Sequence, residues 1–255
     1  MKVIAAGLMA LSLMHAGAGA LAQVPGSGRA QELSFSANEV DARMEDRYID
    51  RMVDLAAAGK LDEDRALLAR LRVIGEGLIK AAVSMKPEAA EWQWEVHTTS
   101  DPEVDALCMA GGKILVGSAF VRKLALSDGE LATLLAHEVA HAVAEHHRET
   151  LSEALVLNRP LRVPVDVVME RLDSDLSLQI RLSKLSSLQE SEADQLGMVL
   201  AHRAGWPAAE MVSFYRKLQA DGPSALVSNA YPAASSRISM AKGMALLFQP
   251  PTPHP

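Results

Sequence analysis

A single cysteine, Cys108, occurs in the 255 residues, which excludes an intramolecular disulfide and a zinc cluster built on several thiolates. No cysteine follows the N-terminal apolar stretch, and this argues against a lipoprotein anchor. Beyond that stretch there is no run of about 18 apolar residues, so no later segment is expected to span a bilayer. Positive charge is in deficit too. The chain has 25 Lys and Arg against 32 Asp and Glu, a formal net charge of −7, which argues against nucleic acid or an anionic membrane surface as a partner. Internal repeats are absent.

The opening MKVIAAGLMALSLMHAGAGALA carries Lys2 as its only charge, then an apolar run, then Ala20-Leu21-Ala22 as an A-x-A cleavage site. Residues 1–22 read as a secretory signal peptide, not a membrane anchor. An exported, acidic, disulfide-free chain is expected in a bacterial periplasm. Residues 23–37 (QVPGSGRAQELSFSA) read as a flexible leader, 38–247 as a single domain and 248–255 (FQPPTPHP) as a disordered Pro-rich tail.

Within the domain, three- and four-residue apolar spacing predicts helices over about 38–58 and 61–85, joined at Gly59-Lys60. Trp92, Trp94 and Val96 alternate with Gln93, Glu95 and His97, the period of a half-buried strand. Apolar runs at Leu107–Ala110 and Ile114–Val116 flank Gly111-Gly112 and predict a hairpin. Ser127 and Glu130 form a capping box ahead of LATLLAHEVAHAVAEHH, so that run should be helical. Helical spacing returns at about 164–186, 187–203, 207–220 and 235–247.

The chemistry concentrates in HEVAHAVAEHH, residues 137–147. On a helix, His137 and His141 project from one face one turn apart and can share a metal ion. Glu138 can take a proton from an attacking water and pass it to a leaving amine. The flanks LATLLA and AVA are apolar, so these polar groups sit on a largely buried helix, where leaving them unpartnered would be costly. Two histidines leave the metal short of a ligand, and three candidates offer one. His147 fits HExxHxxGxxH except that Ala144 stands at the glycine, and alanine tolerates the required positive φ poorly. If the helix runs on, His147 and His146 face away from the site as surface residues. Glu190 and Asp194, four apart in SSLQESEADQLG, share a helix face. One of these carboxylates could bind the metal while the other orients a ligand imidazole. Glu192 reads as part of a solvated acidic face, and His202, three turns from Glu190, lies too far away.

HEVAH with Glu190-Ser-Glu-Ala-Asp194, the trailing Gly197 and Ala204-Gly205-Trp206-Pro207, DALCMAGGKILVGSAFVRKL and SDGELATLLAHEVAH together resemble the zinc metallopeptidases that include the CAAX prenyl endopeptidases and the HtpX heat-shock proteases. The resemblance covers about residues 90–240 and is nearest to the soluble, exported bacterial members acting in envelope protein quality control. It implies a mainly helical α+β, zincin-type (gluzincin) fold with a small hairpin and edge-strand sheet beside the active-site helix. It implies one Zn2+ per chain on His137, His141 and Glu190, with Glu138 as general base and Asp194 orienting a ligand. An edge strand at about Gly112–Ala119 would bind unfolded or misfolded polypeptide by strand addition. Where the family carries His-Pro followed by Arg, this chain has Tyr231-Pro232 and Arg237, so Tyr231 is the candidate donor to a developing oxyanion. Two rivals remain: a chaperone-like binder that cleaves rarely, and a metzincin using His147.

Overall fold

The computed structural model describes residues 20–157, 163–221 and 232–249. An N-terminal hairpin pairs β1 (Ala20–Gln23) with β2 (Ala30–Leu33). Helices α1 (Ala37–Ala57) and α2 (Arg65–Met85) follow, capped by the side chains of Ser36 and Asp64. A three-residue-per-turn segment at Pro87–Glu91 leads into β3 (Glu95–Thr99), β4 (Ala106–Met109) and β5 (Lys113–Gly117). The rest is helical: α3 (Ser118–Leu124), α4 (Asp128–Val143), α5 (His146–Leu157), α6 (Val165–Ser174), α7 (Leu176–Arg203), α8 (Ala208–Asp221) and α9 (Ala234–Leu247). A mainly helical α+β fold is what the sequence led us to expect. Among the described residues no helix is long and apolar enough to cross a membrane.

The main core is built around α4, which packs on α7, α2 and α8. Its apolar residues occur all round the helix, as burial on every side requires. Leu131, Leu135 and Val139 are completely buried, and each such side chain contributes about 1.5–3 kcal/mol. The capping box forms: Ser127 N–H donates to the Glu130 carboxylate at 2.8 Å and Glu130 N–H donates to Ser127 Oγ at 3.2 Å. The β4–β5 hairpin also forms, with Gly111 and Gly112 at φ 78° and 84° in its turn. A Cβ on Gly112 would lie 2.7 Å from the Trp94 ring.

Outside the metal centre, four departures from the sequence reading concern the fold. The sheet order is β3-β5-β4, with β3 parallel and β4 antiparallel to β5. The strand within Gly112–Ala119 is therefore central and saturated on both sides, not an edge. The edge beside α4 is β4. Strand β3 begins at Glu95, because Trp94 turns back to donate its indole N–H to the Ala89 carbonyl at 2.9 Å. The helix expected over 164–186 breaks at Asp175, whose carboxylate accepts from Leu178 N–H at 3.1 Å, so Glu190 and Asp194 lie within one helix of 28 residues.

The fourth departure is the stretch read as a flexible leader, 23–37, which carries the turn and the second strand of the β1–β2 hairpin and is clamped. Arg29 donates to Glu149 at 2.6 and 2.8 Å and to Glu192 at 2.8 and 2.8 Å, and Gln31 donates to the Ala144 carbonyl at 2.9 Å. Cleavage after Ala22 would remove most of β1 and leave β2 and this clamp. Burial alone would raise both carboxylates, but hydrogen bonds from Arg29, Gln189 and Gln31 lower Glu149, and His146 together with Arg29 brings Glu192 down to about 2. Both therefore lie below the unfolded value of about 4.3, so the clamp stabilises fully above that pH and is lost as the pH falls towards 2. The melting temperatures of the parent and Arg29→Ala are accordingly expected to differ most above pH ~4.5 and to converge towards pH ~2. A pH-independent gap would show that Arg29 stabilises by packing alone.

Candidate metal centre

Helix α4 carries His137 and Glu138 at 4% and 7% exposure. Helix α7 crosses it so closely that a Cβ on Gly197 would lie 2.8 Å from the His137 backbone nitrogen and 2.9 Å from its Cα. Only glycine permits that approach. One and two turns back along α7, Asp194 and Glu190 then reach His137.

The three expected ligands converge. His137 Nε2 and His141 Nε2 are 3.2 Å apart. Glu190 brings Oε2 to 3.3 Å from His137 Nε2 and Oε1 to 3.6 Å from His141 Nε2. All three ligand atoms lie within 4.8 Å of one another. The outward ring nitrogens have their own neighbours, His137 Nδ1 lying 3.0 Å from Asp194 Oδ1 and His141 Nδ1 3.0 Å from His146 Nδ1. In the form that takes up a metal, with protons on both Nδ1 atoms, two Nε2 lone pairs and a carboxylate converge on one point, an arrangement that a bound cation would satisfy. Glu190 Oε2 is buried and closes no hydrogen bond. The separations are close to the edge of about 3.3 Å of a tetrahedron with bonds near 2.0–2.1 Å. The donor set fits zinc.

Asp194, 1% exposed, is held on its far side. Arg237 donates Nε to Oδ2 at 2.7 Å and Nη2 to Oδ1 at 2.6 Å, and the Tyr215 hydroxyl donates to Oδ1 at 3.0 Å. Arg237 therefore sits behind the site and supports Asp194. Burial raises Asp194, but His137 and Arg237 outweigh it and hold the group ionised below the usual range. Burial would lower His137, but Asp194 and Glu190 push it up to about 10. Glu138 goes the other way: desolvation raises it to about 7, against a lowering by the His137 charge and a hydrogen bond from the Cys108 backbone.

His147 stays outside the cluster. Burial lowers it to about 4, so the neutral ring donates Nε2–H to the Cys108 carbonyl at 3.0 Å. The helix does not run on as expected. It ends at Ala144, and Glu145 takes the left-handed conformation at φ 54° before α5 begins at His146. A non-glycine residue there costs about 1–2 kcal/mol, and Lys86 at 3.2 Å and Arg148 at 3.0 Å hold its carboxylate. The turn swings His146 inward, to 2% exposure against His141, where the sequence suggested a surface residue. Glu192, read as solvated, is likewise buried between Arg29 and His146. The one local signal for both is the three-residue spacing of Gln189 and Glu192, which sets the two side chains on the side of α7 that meets His146. His202 stacks on Phe248 at 4.1 Å. Tyr231 lies outside the described residues.

The cleft runs along β4. Gly112 N–H closes on the Met109 carbonyl at 3.2 Å, so Met109 and Leu107 direct their backbone groups at β5 and Cys108 directs its own outward. A cavity of about 550 Å³ bounded by Asp41, Trp92, Gly111 and Arg148 lies to one side, and one of about 240 Å³ bounded by Ala106, Glu138 and Glu190 to the other. His141 and His147 line both.

Comparison with known proteins gives a match of the sequence model of peptidase family M48 to residues 66–245. The mitochondrial metalloendopeptidase OMA1 of Arabidopsis thaliana is 35% identical over 133 residues, 52% of this chain and 27% of its own length. The protein of that name from Saccharomyces cerevisiae is 32% identical over 129 residues, 49% of this chain and 37% of its own. A beta-barrel assembly-enhancing protease of Yersinia pestis is 26% identical over 227 residues, 81% of this chain and 44% of its own. The chain spans less than half the length of these relatives.

Proposed function

The chain belongs to peptidase family M48, and on that premise we propose that it is a zinc-dependent endopeptidase of the soluble, exported branch, acting in the periplasm on unfolded or misassembled envelope proteins. The observation that carries the reading is the meeting of His137, His141 and Glu190 beside a buried Glu138 at an edge strand. The likeness to a beta-barrel assembly-enhancing protease over 81% of the chain supports the substrate class.

One zinc ion per chain, held by His137, His141 and Glu190, would supply the Lewis acidity that polarises a peptide carbonyl. Glu138 takes the proton of the attacking water and returns it to the leaving amine. Asp194 keeps the His137 ring in the tautomer that leaves Nε2 bare, and Arg237 and Tyr215 keep Asp194 in place. An extended substrate adds to the outer edge of β4, its own N–H replacing the His147 ring at the Cys108 carbonyl while the Cys108 N–H stays with Glu138.

Two variants separate this from the rival ligand assignment. Glu190→Ala is expected to lose most of the metal, whereas His147→Ala keeps one zinc per chain and lowers KM severalfold by freeing the Cys108 carbonyl, read by metal analysis and peptide kinetics. Metal loss in His147→Ala with retention in Glu190→Ala would reverse the assignment. The other rival is a chaperone-like binder that cleaves rarely. Chelator-sensitive turnover of an unfolded test protein by the parent rejects that rival.

A further inference from the structure

The His141 side of the centre has a support that the family's ligand motif does not include. His146 places Nδ1 3.0 Å from His141 Nδ1, with the two rings edge to face at 76°. On its other side, His146 Nε2 is buried, closes no aligned hydrogen bond, and lies 3.4 Å from Glu192 Oε2. Glu192 is held by Arg29, whose Nε and Nη2 donate to its two oxygens at 2.8 Å each, and by Ser27 Oγ at 3.2 Å. Gln189 Nε2 donates to the His146 carbonyl at 3.2 Å and fixes the start of α5.

We propose that His146 is a positioning residue for the metal ligand His141, within a relay running from Arg29 through Glu192 and His146 to His141. The protons settle in one consistent order. A His141 that offers Nε2 to a metal carries its proton on Nδ1, where the only facing acceptor among these contacts is His146 Nδ1. His146 then carries its own proton on Nε2 and directs it at Glu192, the carboxylate that Arg29 keeps ionised and oriented. A ligand imidazole commonly gives its second N–H directly to a carboxylate or carbonyl, which raises its basicity and fixes its ring. Here a second imidazole stands between ligand and carboxylate. His137 faces a carboxylate with no ring between, its Nδ1 lying 3.0 Å from Asp194 Oδ1 without an aligned hydrogen bond, so the two ligands are supported differently. Arg29 lies in the β1–β2 hairpin, before the segment that matches the family. That hairpin therefore takes part in building the site.

The relay rests on the reading of His137, His141 and Glu190 as the metal site, so the experiment tests both in order. Zinc affinity of the full chain is measured by competition with a chelator for the parent, His146→Phe, His146→Asn, Glu192→Gln and Arg29→Ala. His146→Phe keeps a ring but has no acceptor, and a roughly 10- to 100-fold loss of affinity is expected. The amide oxygen of His146→Asn stands where Nδ1 was, and most of the affinity should return. Glu192→Gln and Arg29→Ala act one and two links away and should give successively smaller losses. Melting of the metal-free proteins supplies the control, since a purely structural role for His146 would make affinity follow stability across the series. In the parent, ring 15N shifts should show the Nδ1–H tautomer at His141 and the Nε2–H tautomer at His146. If the parent binds no zinc, the relay and the metal-site reading fall together. If the parent binds zinc and His146→Phe binds it equally well, or if His146→Asn is no better than His146→Phe, the relay alone is wrong.

Discussion

Glu138→Gln is expected to retain one zinc per chain and to lower the turnover of an unfolded protein substrate by about 100- to 10,000-fold. The amide matches the carboxylate in size and can still accept from the Cys108 backbone, but it cannot carry a proton from water to the leaving amine. Glu138 lies next to the ligand His137 and outside the three ligand atoms that cluster, so metal content is the internal control. The same group sets the acid side of the pH profile. A general base must be ionised, so kcat/KM falls as the pH drops through the Glu138 value. Desolvation places that value at about 7, with His137 lowering it and Glu190 raising it, and a bound dication would bring it lower. Turnover at the parent rate in the Gln variant would remove Glu138 from the mechanism.

Arg237→Ala is expected to have the largest effect on stability, a loss of about 3–5 kcal/mol. Asp194 is 1% exposed and receives two bonds from Arg237. Truncating the arginine leaves a buried charge with Tyr215 on one side and an imidazole on the other. Arg237→Lys keeps the charge and loses the two-pronged geometry, so it should fall between parent and Ala. Denaturant unfolding of the metal-free protein reads this directly, and a loss under about 1 kcal/mol in the Ala variant would show that Asp194 is satisfied without Arg237. Loss of zinc affinity should accompany it, because Asp194 orients His137.

Local signals were legible where one short stretch decides the outcome. The Ser127–Glu130 capping box, the Gly111-Gly112 turn and the four-residue spacings of His137 with His141 and of Glu190 with Asp194 each carry their geometry within a turn or two of chain. Contacts between distant segments were not legible. Glu192 looked solvated because nothing near it in sequence announces Arg29, and His146 looked exposed because a break at Glu145 requires a left-handed glutamate that only Lys86 and Arg148 make tolerable. The sheet order was hidden for the same reason: that β3 pairs with β5 depends on a parallel crossover, which no alternation within either strand encodes. Nothing beside Arg237 in the sequence marks its partner, and only the crossing of α7 with α9 brings it to Asp194.

The Arg29–Glu192 pair spans 163 residues of chain, and this bears on the order of folding. Helices α4 and α7 can form from local contacts, but a link of that length waits for the intervening chain to collapse. His141 therefore gains the last member of its support only when nearly the whole chain has come together. On the proposed relay, zinc affinity should reach its full value only once the N-terminal hairpin has docked on α7, late in folding.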